Sequence, residues 1–140
     1  MQAIRDTYQV QGPNHVIRTT GFPIQPGEDV ETNPGVFGRA LADYLVAQIR
    51  GRGVGVVSVI PEDFGYCIML ERSELRLWIG CGNRVGSTDE WIAFAVAEGG
   101  FLGRFVGNVH PAVEVERISE MLGEIMRAAP GVESYSLETD

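Results

Sequence analysis

Residues Glu90–Glu98 read EWIAFAVAE, and whether this stretch is helix or strand decides the fold. Ile92, Phe94 and Val96 alternate with Ala93, Ala95 and Ala97. A period of two puts the large residues on one face of a strand and the alanines on the other. The stretch therefore reads as a strand, and its small-residue face leaves room for a helix to approach closely.

Working outward, VGVVSVI (Val54–Ile60), FGYCIML (Phe64–Leu70) and LRLWIG (Leu75–Gly80) are further β-rich segments. Arg72, Ser73 and Glu74 form a tight polar turn that makes the last two a hairpin. HVIRTT (His15–Thr20) is the expected first strand and Val132–Leu137 the closing one. The glycine-rich run GGFLGRFVGN (Gly99–Asn108) offers room for a short strand around Phe105.

Two helices complete the pattern. GFPIQPGEDVETNPG (Gly21–Gly35) holds three of the seven prolines and reads as a long irregular connection. In the ETNPG step Asn33 is a favoured N-cap, with Thr32 the alternative. Pro34 suits the first helical position, and Glu31 lies near the positive end of the dipole. Gly38, Leu41, Leu45 and Ile49 then line one stripe, widened by Phe37 and Tyr44, and Gly51 and Gly53 end the helix. Gly38 inside a helix costs about 1 kcal/mol against alanine, so the expectation is that the helix touches the sheet closely there. The second helix runs from Pro111 to Ala129, with Val115, Ile118, Leu122, Ile125 and Ala129 on its apolar face, and Pro130-Gly131 stops it. The order predicts a single α+β domain over residues 1–140. Its two layers are a largely antiparallel sheet of about five or six strands and two helices packed on one face.

Composition excludes several function classes. The formal net charge is −8, and the eleven basic residues, all arginine, are scattered among nineteen acids. Nucleic acid and anionic membrane need clustered positive charge, so neither is an expected partner. A basic protein surface is, because complementary charge steers encounter. With no lysine, a phosphate-loop lysine, a Schiff base and a Ser-Lys pair are impossible. The opening MQAIRDTYQV lacks the apolar run of a signal peptide, and no stretch is long enough to span a bilayer, so the reading is cytoplasmic with reduced thiols.

The candidates for chemistry are few. His15 and His110 are far apart in the chain, each in a turn-like context, and no metal-ligand spacing occurs, so no metal and no cofactor is expected. Cys81 lies between two glycines in IGCGNRVGSTDEW, with Asp89 and His110 as conceivable partners. It reads as a small, half-buried strand-end residue, and Cys67 as core filler. GNRVGS (Gly82–Ser87) and GGFLGRFVG (Gly99–Gly107) set an arginine among glycines but read as turns. The acids of GEDVE (Gly27–Glu31) and PED (Pro61–Asp63) could share a proton if buried together; otherwise they are solvated loop tips. On the second helix Glu116, Glu120 and Glu124 stand four apart as a like-charged row, partly relieved by Arg117 and Arg127.

The segments ETNPGVFGRALADYL and PEDFGY, followed by LRLWIGCGN, resemble a group of small bacterial proteins of unknown function. In that pattern Asn-Pro-Gly-x-x-Gly precedes Leu-Ala, and a later Pro-Glu-Asp-x-Gly is followed by an aromatic. The matching positions are Asn33, Pro34, Gly35, Gly38, Leu41 and Ala42, then Pro61, Glu62, Asp63, Gly65 and Tyr66. The resemblance implies that the two acidic loops lie together over the sheet edge; it implies no activity.

The reading points away from an enzyme and assigns no catalytic residue. Its first expectation is an acidic binding protein, immunity-like or inhibitor-like, that engages a basic partner through Glu116, Glu120 and Glu124. The alternative is a small-ligand or enzymatic site framed by Glu31, Asn33, Glu62, Asp63, Tyr66 and Arg84. A third is a self-associating module, joined by an edge strand or an apolar patch.

Overall fold

The computed structural model describes residues 8–71, 75–99 and 110–139. Along the chain run β1 (Tyr8–Gln11), β2 (Asn14–Arg18), α1 (Arg39–Gly51), β3 (Val56–Glu62), β4 (Gly65–Leu70), β5 (Arg76–Asn83), β6 (Glu90–Gly99), α2 (Pro111–Arg127) and β7 (Ser134–Glu138). The strands form one antiparallel sheet in the order β3-β4-β5-β6-β2-β7, with β1 also paired to β6. The architecture is the expected α+β, with a seventh strand.

That extra strand has a simple origin. β1 and β2 both run along β6, but Gln11 opposes Val96 while His15 opposes Ala93. Four steps on one side therefore match three on the other, and the surplus residue falls at Gly12-Pro13. Proline has no N–H for the ladder, so the strand breaks and resumes one residue out of register.

The alternation in β6 is realised. Trp91, Ala93, Ala95 and Ala97 are buried against the helices, and Ile92 and Phe94 face the other way, half-buried. Leu41, Leu45 and Ile49 of α1 join Val115, Ile118, Leu122 and Ile125 of α2 in the same buried cluster. Each fully buried leucine or isoleucine contributes about 1.5–3 kcal/mol. The Tyr44 hydroxyl, donating to the Ile125 carbonyl at 2.8 Å, ties the two helices together.

The start of α1 differs from expectation. Asn33 does not cap it: Gly35 adopts φ +81, which a continuing helix cannot contain, and the first helical residue is Arg39. The carboxylate that meets the helix end is Glu28, which accepts from the backbone N–H of Gly38 at 3.2 Å and of Arg39 at 3.3 Å. Gly38 is thus the residue before the helix, and it does touch the sheet. A Cβ there would lie 3.1 Å from the Gly82 Cα. The polar turn at Arg72–Glu74 and the strand around Phe105 lie outside the described residues.

Candidate functional site

The end of β5 organises the two acidic loops. Gly65 (φ +143) and Gly82 lie backbone to backbone: a Cβ on Gly65 would strike the Cys81 carbonyl, and one on Gly82 the Phe64 carbonyl. Just beyond, the buried Asn83 side chain accepts from the Phe37 N–H at 2.9 Å and donates to the carbonyls of Gly35 (3.1 Å) and Ser87 (2.8 Å). Its own N–H donates to the Phe37 carbonyl at 3.0 Å. One amide thereby fastens the loop before α1 to the sheet. The only signal in the sequence was its place after Gly-Cys-Gly.

Four of the six loop candidates meet here. The Tyr66 hydroxyl donates to Glu31 at 3.0 Å, and the Asn33 amide to the Asp63 carbonyl at 3.4 Å. Burial and then the Glu31 carboxylate push the Tyr66 phenol up to about 12, while Arg39 stands 5.6 Å from its ring. Glu62 lies apart on the helix-free face. Arg84 reaches away to Glu138 at 2.9 Å and Glu90 at 3.4 Å, pinning the β5–β6 turn to β7. The two loop segments are in contact, and their polar groups mainly satisfy one another.

On the helix-free face Phe64, Trp78 and Phe94 pack with ring centroids 5.8–6.3 Å apart. Phe94 lies over Gly80, where any Cβ would strike its ring. Phe64 is 41 % exposed and Ile60 40 %. Hollows of about 290 and 370 Å³ flank the cluster; Asp63 lines the first, and Glu62, Arg76 and Glu98 the second.

A larger hollow of about 530 Å³ separates α2 from β7, with Glu116, Glu120, Arg127, Tyr135 and Leu137 among its walls. Ser119 and Tyr135 in its lining are joined beneath it by His15. His15 lies 2.8 Å from Ser119 Oγ through Nε2 and 2.8 Å from the Tyr135 hydroxyl through Nδ1. Gly123 makes the space, because a Cβ there would stand 3.2 Å from both His15 Cε1 and the Tyr135 hydroxyl. His15 lies in the expected strand, β2, buried at 3 % exposure, although its Pro and Asn neighbours read as a turn. Of the acidic row, Glu124 is bound to Arg52 at 2.7 Å, a partner the sequence did not indicate, and Arg117 pairs with Glu114 instead. Glu116 and Glu120 make no side-chain hydrogen bond or ion pair among the described residues.

No protein-family model, curated protein or solved structure matches the chain.

The geometry alone bounds the chemistry. Cys81 is not at a strand end but inside β5, fully buried, and burial drives its thiol far above the range where a thiolate forms. Cys67 is pushed up to about 11, first by burial and then by Glu62 and Glu98. Ser119 has a nucleophile's distance to His15, yet desolvation and then Arg127 bring His15 down to about 4, a poor base at neutral pH. Ser119 also lies mid-helix, where backbone N–H groups are already bound to carbonyls one turn back, so it has no nearby donors for a developing oxyanion. Among the described residues no three His, Cys, Asp or Glu side chains gather to hold a metal ion, and no helix is long and apolar enough to cross a membrane.

Proposed function

We propose that this protein is a non-enzymatic, acidic binding protein that holds a basic protein partner, in the manner of an immunity or inhibitor factor. The observation that carries the reading is the pair Glu116 and Glu120: free of ion partners among the described residues, they rim the 530 Å³ hollow beside β7. Two unneutralised carboxylates four residues apart repel each other by a few tenths of a kcal/mol, a cost that a cationic partner would relieve. The net charge of −8 adds long-range attraction toward such a partner. The small-ligand alternative at the acidic loops has less support, since Glu31, Asn33 and Tyr66 are already engaged within the protein.

Pull-down at about 0.05 M and about 0.5 M salt tests the reading. A basic protein should be retained at the lower concentration and released at the higher, and Glu120→Arg should slow its association. Retention that ignores ionic strength sinks the proposal.

A second reading is favoured by the Phe64–Trp78–Phe94 cluster, an aromatic patch open to solvent of the kind found at interface centres. It would make the protein self-associating through its helix-free face. Light scattering that finds only the 15.3 kDa monomer at high concentration removes it.

A further inference from the structure

Among the described residues the sheet path ends on β3 and on β7, and the two ends are not equivalent. β3 is blunted: its register shifts between Val56 and Ser58, and Pro61 removes a ladder donor. β7 has neither device. It pairs with β2 in unbroken register from Ser134 to Glu138, contains no proline, and has no strand on its other side among the described residues. Alternate N–H and C=O groups of β7 therefore point outward, a template for one more strand.

The hollow beside that edge selects what the strand would carry. Tyr135 and Leu137 oppose Ile17 and His15, so they face α2 and form the near wall; Leu137 is 56 % exposed. Glu116 and Glu120 form the far wall. The charges are graded along it. Near the Glu138 end of β7, a Cβ on Gly12 would stand 3.0 Å from Val115 Cγ1, whereas Arg127 stands 5.0 Å from the Tyr135 ring at the other end.

We infer that the partner is received as an added β-strand on the free edge of β7. Its inward side chains are arginine or lysine beside Leu137 and uncharged beside Tyr135 and Arg127. This rests on the charge-led reading above and specifies its geometry. Backbone hydrogen bonds along β7 hold the strand, and long basic side chains lay their methylenes on Leu137 while the cationic heads reach Glu116 and Glu120.

The test uses an eight-residue threonine peptide with arginine at two successive inward positions of one half, and two twins N-methylated on alternate backbone nitrogens in opposite phase. A strand bonds to an edge through every second N–H only, so the twins keep identical charge but differ in what they can donate. Titration should show the parent peptide binding with salt-sensitive affinity. One twin should be weakened about tenfold or more and the other less than about twofold. Glu120→Arg should weaken the parent about tenfold. Twins that bind equally, with salt sensitivity intact, overturn strand addition and leave the charge-led reading standing. Affinity indifferent to salt and to Glu120→Arg removes both. A parent peptide that does not bind, or one displaced because β7 edges pair in a dimer of the protein alone, also overturns the inference.

Discussion

At Asn83 a single carboxamide joins the loop before α1, the end of β5 and the turn at Ser87. Asn83→Ala would leave the half-buried Phe37 N–H and the Gly35 and Ser87 carbonyls without that partner, at about 1–3 kcal/mol for each group that water cannot reach. Urea unfolding should show a loss of at least about 2 kcal/mol, and amide exchange should accelerate first around Phe37. Gly65→Ala should be similarly costly, since its methyl meets the Cys81 carbonyl from a backbone that L-residues rarely adopt. His15 gives a pH signature. Burial keeps it neutral when folded, so the unfolded chain alone takes up a proton as pH falls below 6.5, and stability declines until about pH 4, where the folded form also protonates. The loss amounts to roughly 3 kcal/mol, and it should vanish from the pH profile of His15→Asn, measured by chemical denaturation. None of these roles was legible in the chain. Hydrogen-bond satisfaction by Asn83 and the burial of His15 depend on partners 46 to 120 residues away, and local spacing carries no record of them.

The helices and strands themselves were largely written in period and punctuation. The alanine face of β6 lies under the helices, and α2 begins at Pro111 and ends before Pro130-Gly131 as its apolar stripe implied. α1 begins at Arg39, several residues beyond the Asn33-Pro34 step, because Asn-Pro-Gly is as good a turn as it is a helix start. Gly35 settles the choice by going left-handed, and Glu28, ten residues upstream of Gly38, takes over the helix end. Glu28→Ala should therefore cost about 1 kcal/mol or more, read as a fall in thermal midpoint, while Asn33→Ala should change it little. Gly38→Leu should lower the midpoint further. Its Cβ already presses on Gly82, and overpacking typically costs about 1–3 kcal/mol. The one-residue slip at Gly12-Pro13, which divides β1 from β2, had a visible proline but no visible partner strand. Pairing is a tertiary fact.

For the molecule as a whole, charge and the scarcity of reactive groups were readable from composition, while the location of a surface was not. In the sequence the acidic row on α2 is three equivalent glutamates; folding pairs Glu124 with Arg52 and, among the described residues, leaves Glu116 and Glu120 without ion partners beside the end strand β7. The loop candidates looked like a pocket, and folding turned four of them into a clasp. Among the described residues helices cover one face of the sheet only, and this asymmetry sorts the two tryptophans. Trp91 is sealed beneath the helices, its indole donating to the Thr19 carbonyl, whereas Trp78 lies half-buried in the aromatic cluster on the opposite side. The chain thus contains two intrinsic fluorophores with separate duties. Quenching by iodide should reach Trp78 and spare Trp91, so anything that docks on the bare face would shield one emission band while the other continues to report only whether the protein is folded.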